Sequence, residues 1–308
     1  MSDYTFIVNP KAGRGAAARA VSIIRKLCDQ RRVSYDIRLT EKEGDGIELA
    51  RLASGSTVVA VGGDGTVNEV VNGIVGTGKN LGVIPAGSGN DLTKSITVPL
   101  NVSDACETVL AGRIRSIDVG TVSCGESPGN HYMSGNHHGR HFVNGVGVGF
   151  DAAVAEKTRH MRYLTGTLRY IVAVLRTLGT YEAPQFRVDL DGEVLERKQL
   201  LIAIGNGKCA GGGFYLTPEA SVDDGLLDVC LMDEMTVLEI LRIMPRVMKG
   251  NHTHAKGVTL RQARQIAVSS VDRFFVHADG EIVGRSVNSV VITLEAKALN
   301  VIVGREAS

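Results

Sequence analysis

The sequence is poor in several features that would assign it to a functional class. Its five cysteines are scattered and odd in number, and no Cys-x-x-Cys pair occurs among them. That excludes a disulfide framework and offers no zinc-ribbon spacing. Free thiols buried as small hydrophobes, in a reducing cytosol, are the expectation. Nor does one charge dominate, because 34 Lys plus Arg stand against 33 Asp plus Glu. Without a basic field, nucleic acid is not an expected partner. No apolar run approaches the ~18 residues that suggest a membrane span. The first residues enter a β-rich run at Tyr4-Thr5-Phe6-Ile7-Val8 and show no signal-peptide pattern. The expected location is therefore cytoplasmic, with any membrane contact made peripherally at the inner face.

What is present is ordinary globular material, 44% hydrophobic and 22% charged over 308 residues. At ~150 residues per domain this suggests about two domains. In the first part, strand-like and helix-like stretches alternate: strands at 6–9, 35–39, 57–61 and 81–84, helices at 16–27, 47–53, 67–74 and 104–110. That alternation predicts a layered, Rossmann-like α/β domain with a mainly parallel sheet, placed at 1–121. Residues 125–140 are rich in Gly, His, Asn and Ser and read as a loop. Short strands then follow at 141–148, 185–190, 199–204, 227–232, 273–277 and 290–294, interrupted by helices at 163–178 and 237–248. They predict a β-rich second domain over 122–308, with 298–304 able to return to the first.

The strongest local signal is Gly62-Gly63-Asp64-Gly65-Thr66, placed after a buried strand and followed by Val67-Asn68-Glu69. Glycines allow close backbone approach, and the following helix offers free N–H groups to an anion. A carboxylate within such a loop is repulsive to phosphate, so Asp64 suggests a bridging metal. The plainer reading is a tight turn with Thr66 as helix cap, which explains the acid poorly. A second loop, Pro85-Ala86-Gly87-Ser88-Gly89-Asn90-Asp91, again places small residues, a hydroxyl and a carboxylate, Asp91, at a strand's carboxyl end, where ligands bind in open α/β sheets. The two loops together could cradle a polyphosphate.

A third loop, Asn9-Pro10-Lys11-Ala12-Gly13-Arg14-Gly15, is ambiguous. Gly13, Gly15 and Ala18, with Asp36 about 20 residues on, also fit a dinucleotide fingerprint. Residues 73–80 come close to a P-loop, but Asn80 replaces the Ser or Thr that would hold Mg2+, and the stretch leaves a helix to enter a strand. It reads as a surface turn.

Taken in order, Asn9-Pro10 with its glycines, residues 62–69 and residues 85–91 resemble the nucleotide motifs of the diacylglycerol kinase catalytic family. The resemblance continues through Ile117-Asp118-Val119-Gly120, residues 142–151, Gly205-Asn206-Gly207, Gly211-Gly212-Gly213, residues 218–229 and Asp279-Gly280-Glu281. It spans essentially the whole chain, and the ordered set is specific where single members are not. It implies an N-terminal α/β domain, a C-terminal β-sandwich-like domain, ATP with Mg2+, and a lipid hydroxyl as acceptor. By resemblance, Asn9, Gly13, Gly62, Gly63, Asp64, Gly65, Thr66, Val67, Asn68 and Glu69 belong to the nucleotide site, with Thr40 and Ser88 as further contacts. Asp64 and Asp91 would serve the catalytic metal. Glu281 matches the general base that takes the alcohol proton, with Asp279 assisting.

The same triplet occurs at Asp191-Gly192-Glu193, and Asp-Gly is itself a hairpin signal. Motif order assigns catalysis to the later copy. Ser221, Asp224 and Leu226 match a second site for structural Mg2+ or Ca2+, through one carboxylate and two main-chain carbonyls. A metal-free turn fits that segment nearly as well.

The remaining features read as surface or core. His137, His138 and His141 have no ligand spacing and read as a solvated loop. Lys157, Arg159, Arg162 and Arg169 border an apolar helix that reads as an ordinary packed helix with a solvated face, with contact to an anionic bilayer as the alternative. Residues 237–248 carry Glu239, Arg242 and Arg246 on one face, with Pro245 a kink, and belong to core or to a lipid entrance. The partner implied is a lipid at a membrane surface, and homodimerisation stays open. Two rivals are an NAD kinase and an NAD(P)-dependent oxidoreductase built on Gly13–Ala18.

Overall fold

The computed structural model describes residues 3–125, 139–159, 166–178 and 180–305. His137, His138, Arg162 and most of the expected 125–140 loop lie outside the described residues, as do the side chains of Arg159 and Arg169. The chain divides into two compact units, Met1–Val119 with Ala296–Ser308, and Gly120–Glu295.

The first unit runs β1 (Tyr4–Val8), α1 (Ala16–Arg31), β2 (Tyr35–Leu39), α2 (Asp45–Arg51), β3 (Thr57–Gly62), α3 (Asp64–Ile74), β4 (Asn80–Pro85), α4 (Asp91–Ser95) and α5 (Val102–Ala111). Its strands pair in the order β4-β3-β1-β2, all parallel. Every residue of β3 is buried, as expected for a parallel strand covered on both faces. Helix α1 buries Ala17, Ala20, Ile24 and Cys28, which recur at helical spacing and form its inward stripe. Helix α5 starts where the Asn101 side chain accepts from the N–H groups of Ser103 and Asp104, and stops at left-handed Gly112. Residues 300 and 301 pair in parallel with Asn80 and Leu81, which returns the chain's end to this sheet beside β4.

The order matters for function. The chain moves from β1 outward to β2 on one side, then crosses to β3 on the other. The change of direction between β1 and β3 puts their following loops at a topological switch point at the strands' carboxyl ends, where ligands bind in open α/β sheets. The near P-loop lies at the opposite end of the sheet, where Lys79 Nζ donates to the Ala53 carbonyl at 2.6 Å.

Strand β5 (Ile114–Gly125) carries the chain into the second unit. There follow β6 (Arg140–Phe142), β7 (Gly145–Gly149), α6 (Phe150–Arg159), α7 (Gly166–Leu178), β8 (Gln185–Leu190), β9 (Glu193–Gly205), β10 (Leu227–Asp233), α8 (Val237–Val247), β11 (Val258–Ala263), β12 (Gln265–Ala278) and β13 (Glu281–Ile302). The pairings are antiparallel and wrap on themselves. The first half of β9 pairs β8, and its second half pairs β7 and β10. Likewise β12 pairs β8 at its start and β7 at its end. This is a β-sandwich-like domain, and with the α/β unit it gives the fold class expected from the sequence.

Alternation along β9 and β10 shows how the layers are filled. Ile202, Ile204, Leu227, Val229 and Leu231 point into the core between strands. Their neighbours Leu201, Ala203, Cys230 and Met232 point to the other face, where Phe150, Val174, Ile240 and Ile243 of the helices cover them. A strand buried on both faces reads as a continuous apolar run, as residues 229–232 of β10 do.

Several elements differ from expectation. The single strand expected at 141–148 is two, β6 and β7, broken at Val143-Asn144. Helix α6 and strand β11 were not anticipated. Strand β12 begins eight residues before the expected 273–277, because its early half is polar on one face and paired by β8 and β13. Among the described residues, no helix is long and apolar enough to cross a membrane.

Candidate active site

In the first unit the three glycine loops interlock. Gly13 has φ +55°, and a Cβ there would lie 2.1 Å from the Ala86 carbonyl oxygen, so the first loop packs directly on the second-loop backbone. Gly63 and Gly87 meet main chain to main chain. A Cβ on Gly87 would fall 2.4 Å from the Gly63 Cα. Only glycine permits that contact. Asn90 closes its own loop, accepting from Gly87 N–H at 3.0 Å and donating to Gly87 O at 3.1 Å. Ser88 is exposed at the tip.

Helix α3 begins at Asp64, two residues before the Thr66 cap considered from sequence, and its N-cap Gly63 makes no side-chain hydrogen bond. With no side-chain cap, the amino end of α3 is presented at the carboxyl end of β3, a position that suits an anion. Thr66 is buried and its Oγ1 accepts from Asn9 Nδ2 at 3.4 Å, tying the first loop to α3. Thr40 directly follows β2, is buried, and donates its N–H to Val8 O at 2.9 Å. The main chain of Gly62, Gly65 and Val67 belongs to the same turn, and Asn68 is fully buried beneath it.

The acids of these loops have structural work that the sequence did not reveal. Asp64 accepts from the N–H groups of Asn90, 2.8 Å, and Asp91, 2.6 Å. It thereby holds the second loop against the start of α3. The inference that Asp64 needs a metal to balance it loses its premise, since backbone donors already do so. Asp91 pairs with Lys94 at 2.7 Å. Glu69 does not face the loops. Its two oxygens accept from Gly44 and Gly46 N–H, at 2.8 and 2.9 Å, and fasten the segment that follows Thr40. Its expected place among nucleotide contacts is corrected to a support role.

The oxidoreductase fingerprint does not hold either. Asp36 is the second residue of β2, not at the carboxyl end where a ribose would lie, and it pairs with Arg38 at 2.7 Å.

In the second unit, Asp279 and Gly280 are the two central residues of the hairpin between β12 and β13. Both have positive φ, 49° and 83°, and Ala278 pairs with Glu281 across the turn. Asp279 accepts from three consecutive N–H groups, Val143, Asn144 and Gly145, at 3.1, 3.0 and 2.9 Å. That explains the break between β6 and β7. The same segment is gripped on its other side, where Asn206 Nδ2 donates to Val143 O at 2.8 Å and Gly207 N–H to Asn144 O at 2.7 Å. Three separate sequence motifs thus meet around one turn. Glu281 is half-buried at the first position of β13. Asp279, expected to assist, is occupied in shaping the turn.

The earlier copy at Asp191 works alike. Asp191 has φ +51° and accepts from Arg264 and Gln265 N–H, both at 2.8 Å. His141 sits in β6 with Nδ1 3.0 Å from Thr121 Oγ1, and burial lowers its pKa. It is a strand residue, not part of a solvated loop.

At the turn considered for a second metal, Asp224 Oδ1 accepts from Leu226 N–H at 3.0 Å, and Ser221 Oγ donates to Asp223 at 2.9 Å. Among the described residues, no three His, Cys, Asp or Glu side chains gather as a metal-ligand cluster. The set expected here has one carboxylate only. Sequence reasoning missed Asp228 beside it. Burial pushes its carboxyl up to about 6, and Asp224 and Glu219 push in the same direction.

Comparison with known proteins now bears on this geometry. Residues 3–122 match the diacylglycerol kinase catalytic domain, and residues 144–303 the YegS C-terminal NAD kinase beta sandwich-like domain. A diacylglycerol kinase of Mycobacterium tuberculosis is 31% identical over 282 residues, 90% of this chain and 88% of that protein. The chain belongs to the diacylglycerol kinase family. One from Bacillus subtilis is 25% identical over 92% of this chain and 91% of its own. The fold is shared with a diacylglycerol kinase structure from Bacillus anthracis, TM-score 0.71 at 20% identity, covering 98% of this chain and 97% of that one. It is shared more loosely with a yeast NADH kinase, TM-score 0.54 at 11% identity, covering 99% and 84%. This family member is accordingly a phosphotransferase, and the oxidoreductase alternative is set aside.

The Asp228 carboxyl gives a test of the environment at that turn. Its folded pKa is raised, so its stabilising contribution is complete below the unfolded carboxylate range and is lost as pH rises through about 6. Asp228→Asn should melt above the parent at about pH 8, and the gap should narrow toward about pH 4. Thermal melts across that range check it, and equal melting temperatures at the higher pH would contradict it.

Proposed function

We propose that this protein transfers the γ-phosphoryl group of ATP to a hydroxyl group of a lipid, with Glu281 as general base. The observation that carries the reading is the convergence of three glycine loops on the uncapped start of α3, at the carboxyl ends of β1, β3 and β4. Backbone donors fixed in advance suit an anionic polyphosphate and need no reorganisation when it binds. The relatives' shared name makes diacylglycerol the first acceptor to try, with phosphatidylglycerol and a sphingoid base as further lipid alcohols.

An alcohol is a poor nucleophile at neutral pH, and a placed carboxylate takes its proton as attack proceeds. Glu281 follows a turn held by Asp279 through three main-chain bonds, so its backbone position is well determined. Asp279 acts by shaping that turn. Phosphoryl transfer asks chiefly for positioning and charge neutralisation. Mg2+ travels with nucleotide phosphates and keeps much of its water. Asp64 and Asp91, though already tied to main-chain donors and to Lys94, keep further oxygen lone pairs with which they would hold it, and when bound it would neutralise phosphate charge. A structural Mg2+ or Ca2+ at Ser221, Asp224 and Leu226 would also offset the repulsion from Asp224 and Glu219 that adds to the effect of burial on Asp228.

The lipid acceptor implies work at a membrane surface. Helix α8 buries Ile240, Ile243 and Val247 but leaves Val237, Leu238 and Leu241 exposed, 50, 55 and 41%. Arg242, Arg246 and Lys249 are exposed around them. Apolar side chains ringed by cations suit an anionic bilayer, at about 1 kcal/mol per cation near the surface. On this reading α8 rests on the cytoplasmic leaflet. Leu238→Asp should reduce co-sedimentation with vesicles rich in phosphatidylglycerol, while turnover of a short-chain soluble acceptor is kept. Unchanged sedimentation would sink the assignment.

The reaction itself is tested by transfer of labelled γ-phosphate from Mg-ATP to a panel of lipids in mixed micelles, with NAD included as the rival acceptor. Label should enter one lipid class, and Glu281→Gln should lose at least ~100-fold in kcat, within the range a general base supplies. Label in NAD would favour the nucleotide kinase reading that the shared fold also permits. Full activity in Glu281→Gln would remove the base assignment.

A further inference from the structure

The turn that presents Glu281 has a second clamp. His277, four residues earlier on β12, is 8% exposed. Its Nδ1 accepts from the Gly280 N–H at 3.3 Å. A neutral imidazole that accepts at Nδ1 carries its proton on Nε2. That nitrogen faces Asp151 Oδ2 at 3.4 Å. Asp151 is 3% exposed in the first turn of α6, and its other oxygen accepts from Ala152 N–H at 2.8 Å.

The space for this pair is made by a glycine. Gly147 lies opposite His277 in the β7–β12 register, and a Cβ there would fall 2.0 Å from Asp151 Oδ2 and 2.3 Å from His277 Nε2. Helix α6, strand β7 and strand β12 are thus arranged to bring one buried carboxylate to one buried imidazole, and that imidazole to the N–H just before Glu281. Asp279 fixes the first half of the turn.

We propose that His277, oriented by Asp151, is a positioning residue that sets the direction of Glu281. This rests on the reading of Glu281 as base. Asp151 and His277 form a relay of orientation: the carboxylate fixes the ring and its tautomer, and the ring fixes the peptide. Neither needs to touch substrate. A displacement of about 1 Å at a catalytic group can cost about 100-fold in rate, so the effect belongs in kcat and not in nucleotide affinity.

Two near-isosteric variants separate the ring's two tasks. His277→Asn keeps an acceptor near the Nδ1 position, whereas His277→Gln keeps a donor near Nε2 and loses that acceptor. Both are compared with Glu281→Gln and Asp151→Asn in labelled-phosphate transfer, together with thermal melts. The expected result is a kcat about 10- to 100-fold lower in His277→Gln with the KM for ATP unchanged, and most of it restored in His277→Asn. If Glu281→Gln is inactive while His277→Gln keeps parental kcat, the positioning role fails and the base assignment stands. If Glu281→Gln is itself fully active, the base assignment fails first. Equal losses in both His277 variants, matched by lowered melting temperatures, would make the pair a packing element and overturn the proposal.

Discussion

The interaction on which this architecture most depends is a carboxylate accepting main-chain N–H groups from a distant segment. It recurs at several places where the chain holds an irregular conformation. Asp64 fastens the loop after β4 to the start of α3. Glu69 fastens the loop after β2. Asp279 gathers Val143, Asn144 and Gly145, Asp191 gathers Arg264 and Gln265, and buried Asp118 accepts from Lys297 N–H at 2.7 Å where the chain's end rejoins the first unit. Hydrogen bonds to an ionised acceptor are the stronger kind, about 1.5–3 kcal/mol each. They suit loops that cannot rely on helix or sheet ladders.

This device has a consequence for phosphate chemistry. A loop that binds an anion through its own N–H groups cannot also spend those groups on internal bonds. Its shape must come from elsewhere, here from glycine-to-glycine contact and from acids that grip neighbouring residues. At α3 the Gly63 cap leaves the helix start to a ligand, while Asp64 braces the adjacent loop. The second unit uses the same economy at Glu281, which follows a turn held by Asp279 and His277.

Much of this was legible in the sequence, and the limits are physical. The parallel strands announced themselves as short apolar runs ending in glycine loops, and β3 is the clearest case. The ordered motifs located the segments that converge. Partners distant in sequence were not visible, because a lone Asp or Glu looks the same whether it ligates, catalyses or tethers. Asp64 and Glu69 therefore read as ligand contacts. Helix α6 was missed because the glycine-rich, apolar run before it reads as one strand, and only the bond from Asp279 shows where that strand breaks. Asp228 was missed because an acid at the start of a strand carries no sign of its burial. The polar first half of β12 hid a strand that is covered on one face only.

The central claim is that the backbone contact between Gly63 and Gly87 shapes the nucleotide site. It is tested most directly by titrating Mg-ATP into Gly87→Ala in a calorimeter, with circular dichroism to confirm the fold. The account predicts that the added methyl, which would lie 2.4 Å from the Gly63 Cα, abolishes measurable binding while the secondary structure is kept. Parental affinity in a folded Gly87→Ala protein would contradict it, and the phosphates would then have to be held elsewhere.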